Sequence, residues 1–160
     1  MASAYQNEEY NEEETKTDFI DPALRKSGWI TKDNIRVRKE YSITKGRLIG
    51  NGKREAPLYA DYILQYKNRN LAVIEAKAVT KYYTEGVGQA KEYAKRLGIR
   101  FTYSTNGKQI YAIDMETGLE KDVDCYPTPD ELWEKTYPPK KQTNEKTTDW
   151  LNKFYEIPFN

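Results

Sequence analysis

The stretch NLAVIEAKAVTK, from Asn70 to Lys81, decides how the fold of this chain is predicted. Its apolar run, Leu71 to Ile74, is typical of a strand that is buried inside a sheet. The acidic Glu75 and the basic Lys77 then interrupt this run. Because residues two apart in a strand point to the same face, we expect these two charged side chains to lie side by side at the strand end.

A second carboxylate is expected to join them from the preceding strand. The stretch LYADYILQY reads as a strand that contains Asp61, and a tight turn at residues 67–70 connects it to the next strand. Pairing the two strands about the centre of this turn sets Asp61 opposite about residue 76, next to Glu75. Two carboxylates and the ammonium of Lys77 are therefore predicted to converge at one end of the sheet.

Helical and strand patterns flank this hairpin on both sides. Residues 12–26 are predicted to be helical, residues 35–43 to form a half-buried strand, and residues 87–97 to form a helix that ends at Gly98. The stretches IRFTYSTNG and KQIYAIDME are predicted as two further strands joined at the NG turn. The order helix, three strands, helix, two strands predicts an α/β fold with a central mixed sheet of about five strands flanked by helices.

The domain organisation is predicted from a change in composition after Cys125. Residues 1–125 are expected to form one domain, and the proline-rich residues 126–160 a linker or C-terminal extension. No apolar run approaches the roughly 18 residues of a membrane span, and the acidic N-terminus does not resemble a signal peptide, so we expect a soluble cytoplasmic protein without a membrane partner. The single cysteine excludes an intrachain disulfide bond.

Charge and composition restrict the possible chemistry. The chain of 160 residues contains no histidine, so any catalysis must use carboxylates, lysines, hydroxyl groups or the thiol. The net charge of +1 favours no class of partner, but residues 32–54 hold eight basic residues against two acidic ones. This segment is either a surface for a polyanion or a solvated hairpin, and charge alone favours the solvated hairpin. The residues proposed to contact nucleic acid are Arg36, Arg38, Lys39, Lys45, Arg47, Lys53 and Arg54.

The predicted carboxylate pair indicates phosphoryl chemistry. Two carboxylates in one partly buried place repel each other, and a divalent cation relieves the repulsion. Hard oxygen ligands with room for water and phosphate describe a Mg²⁺ site, and a neighbouring lysine can orient a water or hold a phosphate oxygen. The alternative is an ordinary cross-strand salt bridge between Asp61 and Lys77, with Glu75 solvated at the strand end.

The pattern Asp61…Glu75-Ala76-Lys77 resembles the active-site signature of PD-(D/E)xK nucleases, with Ala60 where the general superfamily pattern has proline. The wider sequence resembles the N-terminal nuclease domain of the R subunit of type I restriction enzymes, over residues 12 to about 135. The supporting stretches occur in the order of that family and are EEETKTDFIDPALRKSGW, ADYIL, LAVIEAKA, GVGQAKEYAKRLG, FTYSTNG and PTPDELW.

The resemblance implies a restriction-endonuclease-like core with the element order αβββαβ, and it implies roles for single residues. Asp61 and Glu75 would be metal ligands, with the carbonyl of Ala76 as a third ligand, and Lys77 would be the catalytic lysine. An acidic residue of the first helix usually joins such a site. The family's spacing favours Glu12 for this role, and Glu14 is an alternative.

The stretch QAKEY matches a Q-x-x-x-Y element of this and related nuclease families. Gln89 and Tyr93 are four residues apart and therefore share one face of a helix. The resemblance implies that this face contacts DNA or the metal site. The alternative is a surface glutamine above a buried tyrosine.

The function implied by the resemblance is a Mg²⁺-dependent endonuclease that cuts double-stranded DNA without intrinsic sequence specificity, within a type I restriction-modification system. The expected partners are the methylase and specificity subunits and the motor domain of the same subunit. The chain contains no G-x-x-x-x-G-K-[ST] motif, so ATP would serve only the absent motor domain. We therefore expect a nuclease module from a longer subunit in preference to a standalone relative.

Two other functions are compatible with the sequence. The chain is alternatively a nuclease-fold module that binds DNA or couples to a motor without cutting. It is also compatible with an interaction domain whose charges are merely solvated.

Overall fold

The computed structural model describes residues 12–43, 48–50, 53, 54 and 56–139, of which 48–50, 53 and 54 are described by their backbone alone. An α-helical turn at residues 12–15 continues into a π-helical turn, Lys16–Ile20. The helices that follow are α1 (Asp21–Lys26), α2 (Val87–Leu97) and α3 (Pro129–Thr136). The strands are β1 (Ile35–Ser42), β2 (Leu48–Gly50), β3 (Lys53–Arg54), β4 (Tyr59–Tyr66), β5 (Arg69–Ala76), β6 (Phe101–Thr105), β7 (Ile110–Asp114) and β8 (Glu120–Val123).

The predicted mixed sheet flanked by helices is confirmed, but it has six strands where about five were predicted. The strand order is β1-β4-β5-β6-β7-β8, and β2 pairs separately with β3. The pair β5–β6 is parallel and every other pair is antiparallel. The prediction missed β8 because its sequence, EKDV, has no apolar alternation. Charged side chains are typical of a short edge strand.

The turn of hairpin β4–β5 is shorter than predicted. It contains the two residues Lys67 and Asn68, which have φ values of 51° and 64°. Positive φ at both positions describes a type I′ turn, whose twist matches that of the flanking strands. The prediction placed the turn at residues 67–70, so it misplaced the centre of the hairpin.

A β-bulge then shifts the register of the same hairpin. Next to the turn, Gln65 pairs with Asn70. The preceding residue of β4, Leu64, pairs with Ala72, so Leu71 is the extra residue of the bulge. The pairing continues to Tyr62 and Ile74. Extending this register by one residue sets Asp61 opposite Glu75, not opposite about residue 76 as predicted.

The hydrophobic core lies in two layers, one on each face of the sheet. The first layer packs the N-terminal helices and α3 against the sheet and consists of Ile20, Leu24, Trp29, Tyr62, Leu64, Leu71, Ala72, Ile74, Ala76, Phe101, Tyr103, Ile110, Tyr126 and Leu132. The second layer packs α2 against the opposite face and consists of Ala60, Ile63, Val73, Tyr93, Ala94 and Ile99. Within the described ranges, no helix is both long and apolar enough to cross a bilayer.

The packed core extends beyond residue 125, where the sequence placed the end of the domain. The side chains of Tyr126 and Leu132 are buried in the first core layer. The indole Nε1 of Trp29 donates a hydrogen bond to the carbonyl oxygen of Pro127, at 2.8 Å. Residues 126–136 are therefore part of the folded unit and not a linker, because they fill space that the N-terminal helices leave open on the sheet.

We predict that Leu132→Ala lowers the free energy of unfolding by about 2 to 4 kcal/mol, because it leaves a cavity in the core. The matched control is Glu134→Ala on the exposed side of the same helix, which should change the stability by less than about 0.5 kcal/mol. Urea denaturation followed by circular dichroism measures both. Equal stabilities of the two variants would contradict the inclusion of α3 in the core.

Candidate active site

The site forms where strands β4 and β5 separate. Their ladder ends at the pair Tyr62 and Ile74, while β4 continues beside β1 and β5 continues beside β6. Backbone amides beyond the end of a ladder need other acceptors. Two side chains provide them: the amide of Asp61 donates to Glu75 Oε2 at 3.1 Å, and the amide of Ala76 donates to Asp61 Oδ2 at 2.8 Å. The predicted convergence of Asp61 and Glu75 is therefore present.

The environment of Glu75 opposes its ionisation. The residue is only 3% exposed. Burial, followed by the negative charge of Asp61, raises the pKa of Glu75 from its ordinary 4.5 to about 8, and Lys77 acts weakly in the opposite direction. A buried carboxyl group with a strongly shifted pKa in an acidic cluster is typical of functional sites.

The pKa of a third carboxyl group, on the N-terminal helical turn, is also affected by the charge of Asp61. Partial burial and the charge of Asp61 raise the pKa of Glu12, while Lys16 and Lys77 lower it. Glu12, one of the two helix carboxylates considered from the sequence, therefore shares the electrostatic environment of Asp61 and Lys77.

Lys16 is a member of this cluster that sequence reasoning missed. Its Nζ lies 3.1 Å from Asp61 Oδ1, 3.1 Å from Glu40 Oε2 and 3.8 Å from Glu13 Oε1, and its side chain is 11% exposed. Burial opposes the charged form, but Asp61 and Glu40 together outweigh it and raise the pKa of Lys16. The available signal was a lysine two residues after a run of glutamates, at helical spacing from an apolar face.

Lys77 lies beside Glu75, as the spacing of two residues in a strand predicted. A Cβ atom added to Gly86, just before α2, would stand 3.4 Å from Glu75 Cβ and 3.5 Å from Lys77 Cε. Both side chains therefore face the start of α2. The alternative expectation from the sequence was a salt bridge between Asp61 and Lys77. In the structure, Asp61 forms its salt bridge with Lys16.

The start of α2 is fixed by a buried serine that the sequence did not single out. Ser104 Oγ accepts a hydrogen bond from the amide of Gly86 at 3.2 Å and donates one to the carbonyl oxygen of Tyr83 at 2.7 Å. Because Ser104 pairs with Glu75 in the parallel ladder, this contact holds the helix start over the carboxylates.

The Q-x-x-x-Y element forms a local pair on α2. The exposed Gln89 donates from Nε2 to the hydroxyl oxygen of Tyr93 at 2.7 Å. Tyr93 is 4% exposed and packs in the second core layer with Ala60 and Val73. This is the geometry of the alternative, a surface glutamine above a buried tyrosine.

The basic residues of β1 divide between the two faces of the sheet. Arg38 pairs with Ile63, which in turn pairs with Val73, so Arg38 and Arg36 are exposed on the face that carries α2. Lys39 lies on the opposite face, where its Nζ is 2.6 Å from a carboxylate oxygen of Asp21. The side chains of the other four predicted contacts, Lys45, Arg47, Lys53 and Arg54, lie outside the described residues.

The donor set fits a hard divalent cation in its chemistry. Asp61 and Glu75 are carboxylates whose mutual repulsion a cation would relieve, and Mg²⁺ prefers such oxygen ligands. In residues 12–43 and 56–139, however, no three acidic or cysteine side chains are arranged to hold a metal ion. One oxygen of Asp61 is instead engaged by Lys16.

Comparison with known proteins identifies the relatives of the chain. No family model matches. The chain is 35% identical over 129 residues to the type I restriction enzyme EcoAI endonuclease subunit of Escherichia coli, which covers 74% of the chain. A solved fragment assigned to the HsdR subunit of a type I restriction enzyme from Vibrio vulnificus YJ016 matches with 36% identity over 79% of the chain and a TM-score of 0.72. The chain is a homologue of type I restriction enzyme endonuclease subunits.

The homologous region is a small part of these relatives. The chain spans 16% of the length of the EcoAI subunit and 25% of the length of the solved HsdR fragment. The restriction-endonuclease-like fold predicted from the sequence agrees with the HsdR fragment, because the structural match covers most of the chain.

We predict that the metal-free protein loses stability as pH rises from about 5 to 8, because the folded state binds a proton at Glu75 that the unfolded state has released. Glu75→Gln removes this proton linkage. With a chelator present, the advantage of this variant over the wild type in free energy of unfolding should grow by roughly 3 kcal/mol between pH 5 and pH 8.

The control for this measurement is Glu134→Gln, whose residue is exposed on α3. It should follow the wild-type pH profile in urea denaturation. A Glu75→Gln profile parallel to the wild type would show that Glu75 ionises normally.

Proposed function

We propose that this chain is a nuclease module that hydrolyses phosphodiester bonds of double-stranded DNA, as part of a type I restriction-modification system. The observation that carries the proposal is the locked pair of carboxylates, Asp61 and Glu75, with Lys77 beside them at a strand end. Homology to type I endonuclease subunits supports this chemistry.

We propose Mg²⁺ as the cofactor, held by the carboxylates of Asp61 and Glu75 and by the carbonyl oxygen of Ala76. When bound, such a cation supplies positive charge that makes a water molecule more acidic and offsets the charge of the phosphate. Of the two carboxylates, Glu75 is buried, at 3% exposed, and Asp61 is partly exposed, which leaves an approach for water and phosphate.

Lys77 contributes a positive charge from the protein itself. Its half-buried side chain extends beside Glu75 and Gly86. An ammonium in this position can donate hydrogen bonds to a phosphate oxygen and orient the attacking water, and such interactions are strongest where charge develops in the transition state. Glu12, whose pKa is raised by partial burial and by Asp61, would accept a proton or a hydrogen bond near these residues.

The surface that we propose for DNA lies on the α2 face of the sheet. Arg36 and Arg38 are exposed there, on the same face as Val73 and the strand position of Glu75. Gln89, exposed near the start of α2, adds a hydrogen-bonding group next to Tyr93. Contacts from arginines to phosphates are independent of sequence, which supports cutting without intrinsic specificity.

The remaining functions of the system are proposed to reside outside this chain. Methylase and specificity subunits would be its partners, and a motor domain that consumes ATP would belong to the same subunit in a cytoplasmic complex. The small share of the relatives that the chain covers supports this division.

A second candidate function is a DNA-binding or coupling module that does not cut by itself. The observation that favours it is the contact of Lys16 with Asp61 Oδ1, because the ammonium engages one of the oxygens that a cation would use.

We predict that Lys77→Ala slows Mn²⁺-supported nicking of supercoiled plasmid about 100-fold or more, because it removes the charge next to the scissile phosphate. Affinity for DNA and the circular dichroism spectrum should stay near the wild-type values. Lys26→Ala, an exposed lysine of α1, is the matched control and should cut normally. Undiminished cutting by Lys77→Ala would exclude the proposed role.

We predict that neighbouring residues of β1 differ in their effect on DNA binding. Arg38→Ala should weaken binding and lower the slope of log K against log salt by about 1, since one phosphate contact is lost. Lys39→Ala should change both quantities little, because Lys39 is paired with Asp21 on the other face. Fluorescence anisotropy at several salt concentrations measures both, and equal losses would rule out the proposed face.

A further inference from the structure

Lys16 occupies an unusual position for a lysine. Its side chain is 11% exposed, and its Nζ lies between carboxylate oxygens of three acidic residues that come from three different elements. Lysines are almost never buried unless paired. The ammonium is 3.1 Å from Asp61 Oδ1, so it is the immediate counter-ion of a carboxylate at the centre of the candidate active site.

The backbone around Lys16 is held from two sides. Thr15 Oγ1 accepts a hydrogen bond from the amide of Val79 at 2.9 Å, which ties the N-terminal helical turn to the segment after Lys77. On the other side, a Cβ atom at Gly107 would stand 2.7 Å from Thr15 Cγ2. Only a glycine permits this close approach, so the position of the Lys16 backbone is fixed by packing.

A second acidic residue is placed to receive the same ammonium. Glu40 lies in β1 between the pairs formed by Lys39 and Tyr41, which makes it the neighbour of Asp61 across the β1–β4 ladder. Its φ value is 51°, a conformation that a glutamate rarely adopts. Its carboxylate lies 3.1 Å from Lys16 Nζ. Lys16 thus has an alternative partner within hydrogen-bonding distance while it contacts Asp61.

We propose that Lys16 is an internal counter-ion of Asp61 that competes with a divalent cation for this carboxylate. The inference rests on the proposed function, because it assigns a role toward the cation that Asp61 and Glu75 would hold. Without the cation, Lys16 neutralises Asp61 and limits its repulsion of Glu75. When the cation takes Asp61 Oδ1, the ammonium is retained by Glu40, so Lys16 sets the cation concentration at which the site fills.

The arrangement accounts for two observations together. The acidic cluster is stable as a packed site because a fixed positive charge already lies within it. The same charge engages the oxygen of Asp61 that does not accept the hydrogen bond from Ala76. A second positive charge at one carboxylate oxygen is electrostatically unfavourable, and therefore the two cations exclude each other.

The test is a titration of the isotopically labelled chain with Mn²⁺, in which paramagnetic broadening at residues 61 and 75–77 reports the affinity without any need for activity. Lys16→Met should bind Mn²⁺ about tenfold more tightly than the wild type, because a competing charge is removed. Lys16→Arg keeps the charge and should not tighten binding. Lys67→Met removes a lysine from the hairpin turn, about 20 Å along the strands, and should match the wild type.

Glu40→Gln provides a second test that does not alter the buried lysine. Without its alternative partner, the ammonium stays with Asp61, and Mn²⁺ affinity should fall several-fold. In a Lys16→Met background the same substitution should have much less effect, since the coupling acts through Lys16. Additive effects of the two substitutions, or unchanged or weaker binding by Lys16→Met, would overturn the proposal.

The same data separate this inference from the proposed function. If residues 61 and 75–77 are not broadened in the wild type or in any variant, the metal site itself is overturned, and with it the competition. Broadening in the wild type that Lys16→Met does not strengthen would overturn the role of Lys16 alone. Binding by Lys16→Met at Mn²⁺ concentrations where the wild type does not bind would support both.

Discussion

The exchange of hydrogen bonds between Asp61 and the Glu75–Ala76 segment is the constraint on which the rest of the structure depends. It lies where the β4–β5 ladder stops, and it satisfies two backbone amides that the ladder leaves without carbonyl partners. The two carboxylates thereby close the end of the sheet and become fixed relative to each other. The same two carboxylates serve the structure and the candidate function, so the site is part of the framework of the fold.

This arrangement buries negative charge, which is energetically unfavourable. The surrounding elements lower this unfavourable energy in different ways. Glu75 responds by favouring its protonated form, with a pKa of about 8. The carboxyl group of Asp61 lies beside the ammonium of Lys16, which the N-terminal turn brings to the sheet. The N-terminal helical turn therefore contributes charge to the strand ends and also covers the first core layer, and its contact links residues 45 positions apart in the chain.

The elements packed on the two faces of the sheet determine which side of the site is covered. Helix α2 covers β5 and β6 on one face and begins at Gly86, directly beside Glu75 and Lys77. On the other face, Tyr126, Leu132 and the N-terminal helices fill the first core layer. The charged strand ends lie between two packed layers, while the exposed arginines of β1 extend along the α2 face. This layout brings the acidic pair, Lys77 and the exposed arginines of β1 onto one small sheet.

The sequence by itself determined the class of the fold and the identity of the central residues. Local periodicity predicts features that depend on neighbours in the chain. These are the apolar run before Glu75, the spacing of Glu75 and Lys77, and the helix ending at Gly98. Only the tertiary structure decided the register, because a two-residue turn and the bulge at Leu71 together set Asp61 opposite Glu75. The tertiary structure also decided the partner of Asp61. Lys16 contacts Asp61 across the fold, and no local sequence pattern predicts such a contact. The polar strand β8 and the burial of α3 likewise followed from long-range packing that the chain's periodicity does not contain.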